Sequence, residues 1–219
     1  MERAKIKRIA KEKIKGNLWN IWWPLLVISF LESALEGIAI PKINIDPENI
    51  LYSLEHINIP TSTYLFGSLM GIVFGILFAG YIKYILEFTR KGKFNTDTII
   101  NTIKEKWLDL LIAEALTTVI IALCTLAFVI PGIIMIIAYT FVSYIVIDTK
   151  TKGNEALEAS REMMKGYKWD YFVFCLSFIG WFVAIPFTLF IILIWLVPYI
   201  IVANTIYYDE LKKIAKKNK

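Results

Sequence analysis

The chain has 219 residues, of which 57% are hydrophobic and 15% aromatic, and its formal net charge is +5. A water-soluble domain of this length cannot bury so much apolar surface, so the composition excludes an ordinary soluble enzyme and indicates a membrane protein. The positive charge does not indicate a nucleic-acid partner, because Lys and Arg lie in short segments that flank apolar runs, as expected for contact with anionic lipid headgroups.

The first fifteen residues, 1–15, form a basic amphipathic segment. They contain seven Lys or Arg and a narrow apolar stripe at helical spacing made by Ile6, Ile9, Ala10 and Ile14. Such a helix lies in the membrane interface, where its lysines reach anionic headgroups. A cleaved signal peptide is the alternative, although the apolar run that follows lacks a small-x-small cleavage site.

The first membrane span is predicted at about residues 20–40, where Trp19 marks the membrane boundary. To cross a bilayer, this span has to include Glu32 and Glu36. The polar, acidic segment that follows, residues 41–62, is predicted to be an external loop.

Four small residues recur at four-residue spacing in the second span, about residues 64–88. They are Gly67, Gly71, Gly75 and Ala79. Small residues on one face allow another helix to approach closely, so we predict that this face packs against a helix of the same chain. A dimer seam and a pore lining are the alternatives. We expect leucine to disrupt packing at Gly71 and to be tolerated better at Gly80, which lies off this face.

The run without charges at residues 115–147 is too long for one span. Pro131 and Gly132 divide it near its middle, so we predict spans at about 107–130 and 133–148 joined by a short external turn. A kinked or re-entrant helix is the alternative.

Two further basic segments, residues 89–106 and 149–168, are each predicted to hold a cytoplasmic interfacial helix. In the second segment Arg161, Lys165 and Lys168 share a helical face, and we interpret them as contacts to lipid headgroups. A site for the phosphate of a ligand is the alternative. Together with the amino-terminal segment, these give three interfacial amphipathic helices.

The last apolar run, residues 171–208, contains no Asp, Glu, Lys, Arg or His. As one helix it would be roughly 57 Å long, nearly twice the ~30 Å thickness of a hydrocarbon core. We therefore predict two spans, about 170–186 and 188–208, with a turn near Pro186, because proline lacks the N–H that a continuous helix needs. Residues 209–219 form a basic cytoplasmic tail.

The distribution of Lys and Arg predicts the orientation in the membrane. Seven precede the first span, five lie in each of the two later basic segments and five follow residue 208, whereas the loop at 41–62 holds only Lys42. By the positive-inside rule, we predict about six spans with both termini in the cytoplasm, in the inner (cytoplasmic) membrane. The predicted fold is an all-α polytopic membrane helical bundle, a single domain over residues 1–219.

The sequence contains no motif of an enzyme, a metal site or a cofactor site. There is no HExxH sequence and no glycine-rich phosphate loop, and the one histidine, His56, lies in the predicted external loop. Cys124 and Cys175 lie inside apolar runs, which indicates neither a disulfide framework nor a metal site. We therefore predict a non-catalytic structural or partner-binding membrane protein that contacts anionic lipid and either a membrane-protein partner or a second copy of itself. A transporter or channel component is the alternative, and an intramembrane enzyme is a third.

Four charged residues are predicted within the spans, where an ionised group is costly unless it is paired or hydrated. They are Glu32, Glu36, Lys83 and Glu114. Lys83 and Glu114 lie at comparable depth and are predicted to pair across the second and third spans. Glu32 lies near the midplane with no predicted cation at its depth, so it is the first candidate for proton-coupled transport. A protonated structural glutamate at this position is the interpretation that we favour.

A resemblance to a known family rests on four stretches. They are SREMMKGYKWDYFVFCLSFIGW at 160–181, PGII at 131–134, PY at 198–199 and KGN at 15–17. These resemble the bacterial membrane-protein family called domain of unknown function 975, in order over nearly the whole chain. The family usually has glycines in the stretch between Trp181 and Pro198, where this chain has none. The family also has a lysine soon after the PGI turn, where this chain has Met135. The resemblance implies a multi-span inner-membrane protein and supplies no established activity.

Overall fold

The structure, a computed structural model, describes residues 2–39 and 60–217, with the side chains of 36–39, 64 and 65 excepted. All regular structure in these residues is helical, which confirms the predicted all-α class. The helices are α1 Arg3–Ile14, α2 Leu18–Ala39, α3 Thr61–Lys91, α4 Asp97–Ala127, α5 Val129–Tyr139, α6 Val142–Asp148, α7 Gly153–Met163, α8 Lys168–Leu176, α9 Ile179–Phe187 and α10 Leu193–Lys217. The predicted external loop at 41–62 lies outside the described residues, apart from its last three.

Five helical segments of the described chain are long and apolar enough to cross a membrane. They are Leu18–Leu35, Thr61–Lys91, Asp97–Ala127, Val129–Asp148 and Lys168–Phe187. These segments indicate a membrane protein. The sixth predicted span, 188–208, coincides with the turn after α9 and the first part of α10, which is not among the five. The uncharged part of α10 ends at Tyr208, and Asp209 and Glu210 follow directly. A topology with six spans therefore remains a prediction.

The interfacial helices differ from the prediction in two places. The segment predicted as a separate helix in 89–106 instead begins α4, which continues without interruption to Ala127. The helix predicted over 149–168 ends at Met163, and Gly166 then adopts a left-handed conformation with φ of 83° before α8 begins. Glycine adopts this conformation without steric cost, so it separates the two helices.

The reversal between the third and fourth predicted spans occurs at Phe128, three residues before Pro131. Phe128 is extended, with φ of −158° and ψ of 141°, and α4 and α5 pack against each other on either side of it. Pro131 lies in the first turn of α5, where its missing N–H leaves no helical bond unmade. Gly132 is buried so closely against Thr125 that any β-carbon would clash with it. The reversal therefore lies three residues earlier than predicted, and its external position remains a prediction.

The chain reverses again after Pro186 rather than at it. Pro186 lies within the last turn of α9, and the reversal occupies residues 188–192. Leu189 and Phe190 have positive φ angles of 47° and 65°, which are uncommon for residues with a β-carbon. A proline in the last turn of a helix leaves only one backbone carbonyl without its helical donor. The helix can therefore continue past Pro186, and the chain reverses a few residues later.

Two further prolines of the described chain lie inside helices, besides Pro131 and Pro186, and each leaves one backbone carbonyl without its usual helical donor. Pro24 in α2 leaves the carbonyl of Asn20, which accepts a hydrogen bond of 2.8 Å from the Tyr84 hydroxyl of α3. The neighbouring carbonyl of Ile21 accepts a bond of 3.0 Å from Tyr81. The bend in α2 is thus satisfied by two tyrosines of α3.

Pro198 in α10 has the same effect on the carbonyl of Ile194. The Trp22 indole Nε1 of α2 donates to this carbonyl at 2.6 Å. Backbone groups cannot be left unsatisfied in hydrocarbon, so this bond ties α2 to the start of α10.

The buried core is concentrated around Asp148, and we call this region the packed end. It comprises residues 79–91 of α3, 139–148, α7 and residues 196–211 of α10. Its largest fully buried side chains include five tyrosines and two phenylalanines: Tyr81, Tyr84, Tyr199, Tyr207, Tyr208, Phe141 and Phe174. Phe174 belongs to α8, which joins this core through its ring contact with Tyr207.

We call the opposite region the open end. It comprises residues 26–35 of α2, 67–73 of α3 and 116–136 of α4 and α5. Only Ile28 and Gly132 are buried in these three segments, and Leu126 is 87% exposed. Most of its exposed side chains are apolar, and lipid can cover these without cost.

Candidate functional site

A buried carboxylate organises the charges of the packed end. Asp148 is the last residue of α6, and its side chain is only 4% exposed. Arg90 of α3 donates to it from Nη1 at 2.5 Å, Lys212 of α10 pairs with its other oxygen, and Lys83 Nζ lies 3.9 Å away. The Tyr208 hydroxyl donates at 3.1 Å. Buried charges are stable only when paired and hydrogen-bonded, and Asp148 meets both conditions.

A second carboxylate extends this network across α10. Arg90 Nη2 lies 2.5 Å from Asp209 Oδ1, so the same guanidinium bridges two acids. The planar guanidinium matches this task because it presents several donors in a fixed fork. The Asp148 network, defined as Lys83, Arg90, Asp148, Asp209 and Lys212, therefore joins α3, α6 and α10.

The predicted ion pair between Lys83 and Glu114 is wrong. Lys83 approaches Asp148 instead, and Glu114 Oε1 accepts a hydrogen bond of 2.7 Å from Ser143 Oγ. Both partners come from α6, which lies between the two predicted partners. The sequence argument placed Lys83 and Glu114 at similar depth but could not show which helix face each occupies.

Glu114 opens onto a cavity of about 340 Å³ formed where α3, α4, the α5–α6 junction and α10 meet. The lining combines polar side chains with large apolar ones: Phe74, Gly75, Phe78, Ile82, Glu114, Thr140, Ser143, Tyr144, Ile201 and Asn204. Most pockets that bind small ligands have this composition, with a few polar groups in an apolar wall.

A break in the helix supplies several of these groups. The segment Val129–Asp148 is interrupted at Thr140 and Phe141, where α5 ends and α6 has not begun. Non-helical backbone is tolerated at membrane depth only where protein covers it or where it lines a cavity. Thr140 and Ser143, on either side of the break, both line the Glu114 cavity.

Comparison with known proteins finds a family model that matches part of the chain. Residues 118–215 match a family model described as Protein of unknown function (DUF975). The match spans 98 of the 219 residues, just under half of the chain. No curated protein and no solved structure matches the chain.

The DUF975 stretch contains part of the site. Ser143, Asp148 and Asn204 lie within the matched residues, whereas Glu114 and Arg90 precede them. The match confirms the resemblance drawn from the sequence motifs. The family's description names no activity, so function has to be argued from the site itself.

The other predicted intramembrane acids lie elsewhere. Glu32 is partly buried on α2 and does not line the Glu114 cavity. The side chain of Glu36 lies outside the described residues. The structure therefore directs attention from Glu32 to Glu114.

The predicted small-residue face is close-packed along only part of its length. At Gly67 and Gly71 a β-carbon would meet no described atom within 4 Å, whereas at Gly75 it would lie 3.1 Å from the Glu114 carboxyl carbon. Ala79 is fully buried. At Gly80 a β-carbon would lie 3.0 Å from the Ile99 carbonyl oxygen, so the expectation that Gly80 tolerates leucine better than Gly71 is wrong.

The predicted headgroup contacts lie on the surface. Arg161 and Lys165 are exposed, and Lys168 is partly buried at the start of α8. Because the helix ends at Met163, these cations do not share one continuous helical face as predicted.

The amino-terminal helix packs on the protein as well as facing solvent. Its stripe of Ile6, Ala10 and Ile14 is buried, chiefly against α10. Lys7 Nζ donates to the Ser177 carbonyl at 2.9 Å and lies 4.2 Å from the centre of the Phe178 ring. Burial, and secondarily the charge of Lys11, lowers the pKa of Lys7. The helix therefore covers the break between α8 and α9.

Sequence reasoning missed most of the Asp148 network, although one signal was available. Asp148 ends one long uncharged run, Lys83 ends another and Asp209 ends a third. Charges at the same ends of successive hairpins meet when the helices pack. That signal predicts proximity but not which acid pairs with which base.

Proposed function

We propose that the protein is a non-catalytic multi-pass membrane protein that binds a membrane-embedded helix, from a partner protein or from a second copy of the chain. The open face of α3 supports this proposal. Gly67 and Gly71 lie one turn apart on that face, with open space around both among the described residues. Association of helices in lipid depends on close backbone approach, which small residues permit.

The packed end keeps the helices of the chain together while the open end binds the partner helix. The Asp148 network and the tyrosine core hold the helices together at one end, so the open end is free to offer apolar and small surfaces to another chain. Lipid covers such surfaces when no partner is present.

Cross-linking at residue 71 tests partner binding. Gly71→Cys, made with Cys124 and Cys175 replaced by alanine, is expected to form a disulfide-linked dimer or a cross-link to one discrete partner in native membranes. Gly71→Leu is expected to reduce association, measured as complex recovered in mild detergent, by at least several-fold. A protein that remains monomeric and uncross-linked at residues 67, 71 and 126 contradicts the proposal.

The orientation is proposed from the charge distribution. Both termini lie in the cytoplasm, the protein resides in the cytoplasmic membrane, and the exposed Arg161 and Lys165 contact anionic headgroups. Cysteines introduced near residues 97, 155 and 215 should resist an impermeant maleimide in intact cells, and one near residue 50 should react. External labelling at residue 155 contradicts this orientation.

A second candidate function is that of a transporter or channel component, and the Glu114 cavity favours it. An intramembrane carboxyl beside a broken helix is the arrangement used by many transporters to bind ions and substrates. Ion flux into vesicles containing wild type, Glu114→Gln and Glu32→Gln tests it. Flux lost only in Glu114→Gln supports transport through this cavity, and flux absent from all three removes the candidate.

A further inference from the structure

We infer that a groove between α5 and α8 binds one anionic phospholipid, with an acyl chain along the isoleucines of α5 and the phosphate beside Lys168. The inference goes beyond the proposed helix binding, because that function uses the small-residue face of α3 and this groove lies on other helices. It rests on the shape of the groove, on the position of charge in its lining and on the size of its side chains.

The groove is an open cleft of about 480 Å³ with an almost entirely apolar wall. Four isoleucines of α5 contribute to this wall at the spacing of a single helical face: Ile130, Ile133, Ile134 and Ile137. By helical rise they extend over roughly 10 Å. Phe172 of α8 completes the apolar part of the cleft. The groove therefore offers an apolar surface about two helical turns long, which an acyl chain can cover.

Lys168, the first residue of α8, is the one charged residue among the described residues that line this groove. Asp170, the acid nearest to it along the chain, is engaged elsewhere. Its Oδ2 accepts a hydrogen bond of 2.9 Å from the Tyr207 hydroxyl, and its Oδ1 lies 3.5 Å from Arg3 Nε. The lining thus carries a positive charge without an acid to balance it, and an anionic headgroup would supply the missing charge.

The two ends of α5 differ in what surrounds them. Near Ile137, the Ala138 carbonyl accepts a hydrogen bond of 2.8 Å from Ser160 Oγ of α7, the amphipathic helix of the basic segment 149–168. Ile130, at the other end, follows the reversal at Phe128, and both residues are exposed and apolar. The isoleucines therefore lead from a basic, polar region into an apolar one, which is the polarity of a phospholipid.

Trp169 supports a headgroup position at the start of α8. It lines the groove beside Lys168, is 73% exposed, and its ring centre lies 5.3 Å from that of Phe172. Tryptophan combines an apolar ring with an N–H donor and is favoured at the level of the lipid headgroups. Its indole can cover the first part of a chain and donate to a phosphate or ester oxygen.

The size of the lining side chains favours an acyl chain over a protein helix. Helices approach each other closely in lipid where small residues line the contact, as at Gly67 and Gly71 of α3. The described lining of this groove contains no Gly, Ala or Ser and consists mainly of branched and aromatic side chains. A flexible chain can follow such an uneven wall, whereas a rigid helix would be held away from it.

Photo-cross-linking in vesicles tests the site. The full-length protein is reconstituted in phosphatidylcholine that contains a small fraction of phosphatidylglycerol with a diazirine on one acyl chain, and labelled residues are identified by peptide mass spectrometry. The label should concentrate on residues 130–137 and 168–172, and unlabelled phosphatidylglycerol should displace it. A phosphatidylcholine probe with the same diazirine chain should label these residues several-fold less.

Substitution of Lys168 tests the headgroup contact. Lys168→Gln should lower labelling by the anionic probe about five-fold, the effect of removing one cation near the headgroups, and Lys168→Arg should retain the labelling. Lys165→Gln is the matched control, because Lys165 is an exposed cation that does not line the groove. This variant should change the labelling little.

Two tryptophan variants of α5 test the position of the acyl chain. Ile134→Trp should fill the groove and lower labelling several-fold, whereas Ile136→Trp should leave it unchanged. Both residues are exposed, and Ile136 is outside the groove lining. Neither substitution therefore disturbs the buried core.

Four results would overturn the inference. Equal labelling of the groove by the anionic and the phosphatidylcholine probe would show ordinary bilayer lipid. Unchanged labelling in Lys168→Gln would remove the charge from the site, and equal labelling in Ile134→Trp and Ile136→Trp would show that the chain does not follow the groove. A cross-link from Ile134→Cys to a protein in native membranes would show that a helix occupies the groove instead.

Discussion

The packed end and the open end are stabilised in different ways. At the packed end, Phe141 contacts the rings of Tyr144, Tyr171, Tyr207 and Tyr208, and the Asp148 network lies beside this cluster. At the open end, apolar side chains such as Leu126 face outward. In lipid there is no hydrophobic drive to bury such side chains, so packing, hydrogen bonds and ion pairs have to hold the helices together. In this protein, the tight packing, hydrogen bonds and ion pairs are concentrated at the packed end.

Breaking the Asp148 network should have the largest effect on this contrast. Asp148→Ala takes the shared, buried acid from the exposed Arg90 and the partly buried Lys212 and removes several charge-assisted hydrogen bonds at once, so we expect a loss of roughly 3–5 kcal/mol in the free energy of unfolding. Unfolding in mixed micelles of dodecylmaltoside and SDS measures it. Glu105→Ala, at an exposed acid of α4, is the control and should change little. A loss no larger than the control's would mean that the network does not stabilise the packed end.

Leucines of α4 at the two ends sharpen the same contrast. Leu110 is fully buried in the core that α4 shares with the packed end, so Leu110→Ala should destabilise by about 2–5 kcal/mol through lost contacts and a cavity. Leu126→Ala, at the open end, should change the free energy of unfolding by less than about 0.5 kcal/mol. The same micelle titration compares them. Similar losses would show that the open end is covered by protein in the functional state.

Substituting a glycine at each end should give a smaller difference in stability, again with the larger loss at the packed end. At Gly153 a β-carbon would clash with the Asp109 carbonyl and lie 3.1 Å from the Ala113 nitrogen, both rigid backbone atoms. Gly153→Ala should therefore cost about 1–3 kcal/mol. Gly71→Ala should be neutral or slightly stabilising, because alanine is the better helix former. A reversed order of thermal midpoints would contradict the assigned packing.

The bond between Trp22 and α10 should have the smallest effect. Trp22→Phe removes the donor to the Ile194 carbonyl and should cost about 1–2 kcal/mol, whereas Trp19→Phe, at a position 71% exposed, should cost little. Pro198→Ala restores a backbone N–H that can serve the same carbonyl. In that background Trp22→Phe should cost less. An undiminished cost would show that the indole acts through packing rather than through this hydrogen bond.

Much of the architecture could be predicted because lipid imposes local constraints. A span requires about twenty apolar residues, so hydropathy located the α2, α3 and α4 regions. Gly16 and Gly166 adopt left-handed conformations with φ of 80° and 83°, but only the end of the first helix, at residue 15, was predicted. In the second case the apolar pattern of 149–168 continued across the glycine, and periodicity alone cannot show that a helix has stopped.

Sequence by itself determined the membrane class, the helical class and the existence of charges at the ends of apolar runs. Only the tertiary structure decided which of these charges pair with one another. Arg90 and Asp148 are 58 residues apart, and Arg90 and Asp209 are 119 apart. Which of these charges meet depends on the rotation of each helix about its axis, and that rotation is set by the side chains packed between helices. For the same reason, Gly75 became the neighbour of Glu114 while Gly71, one turn away on the same face, remained open.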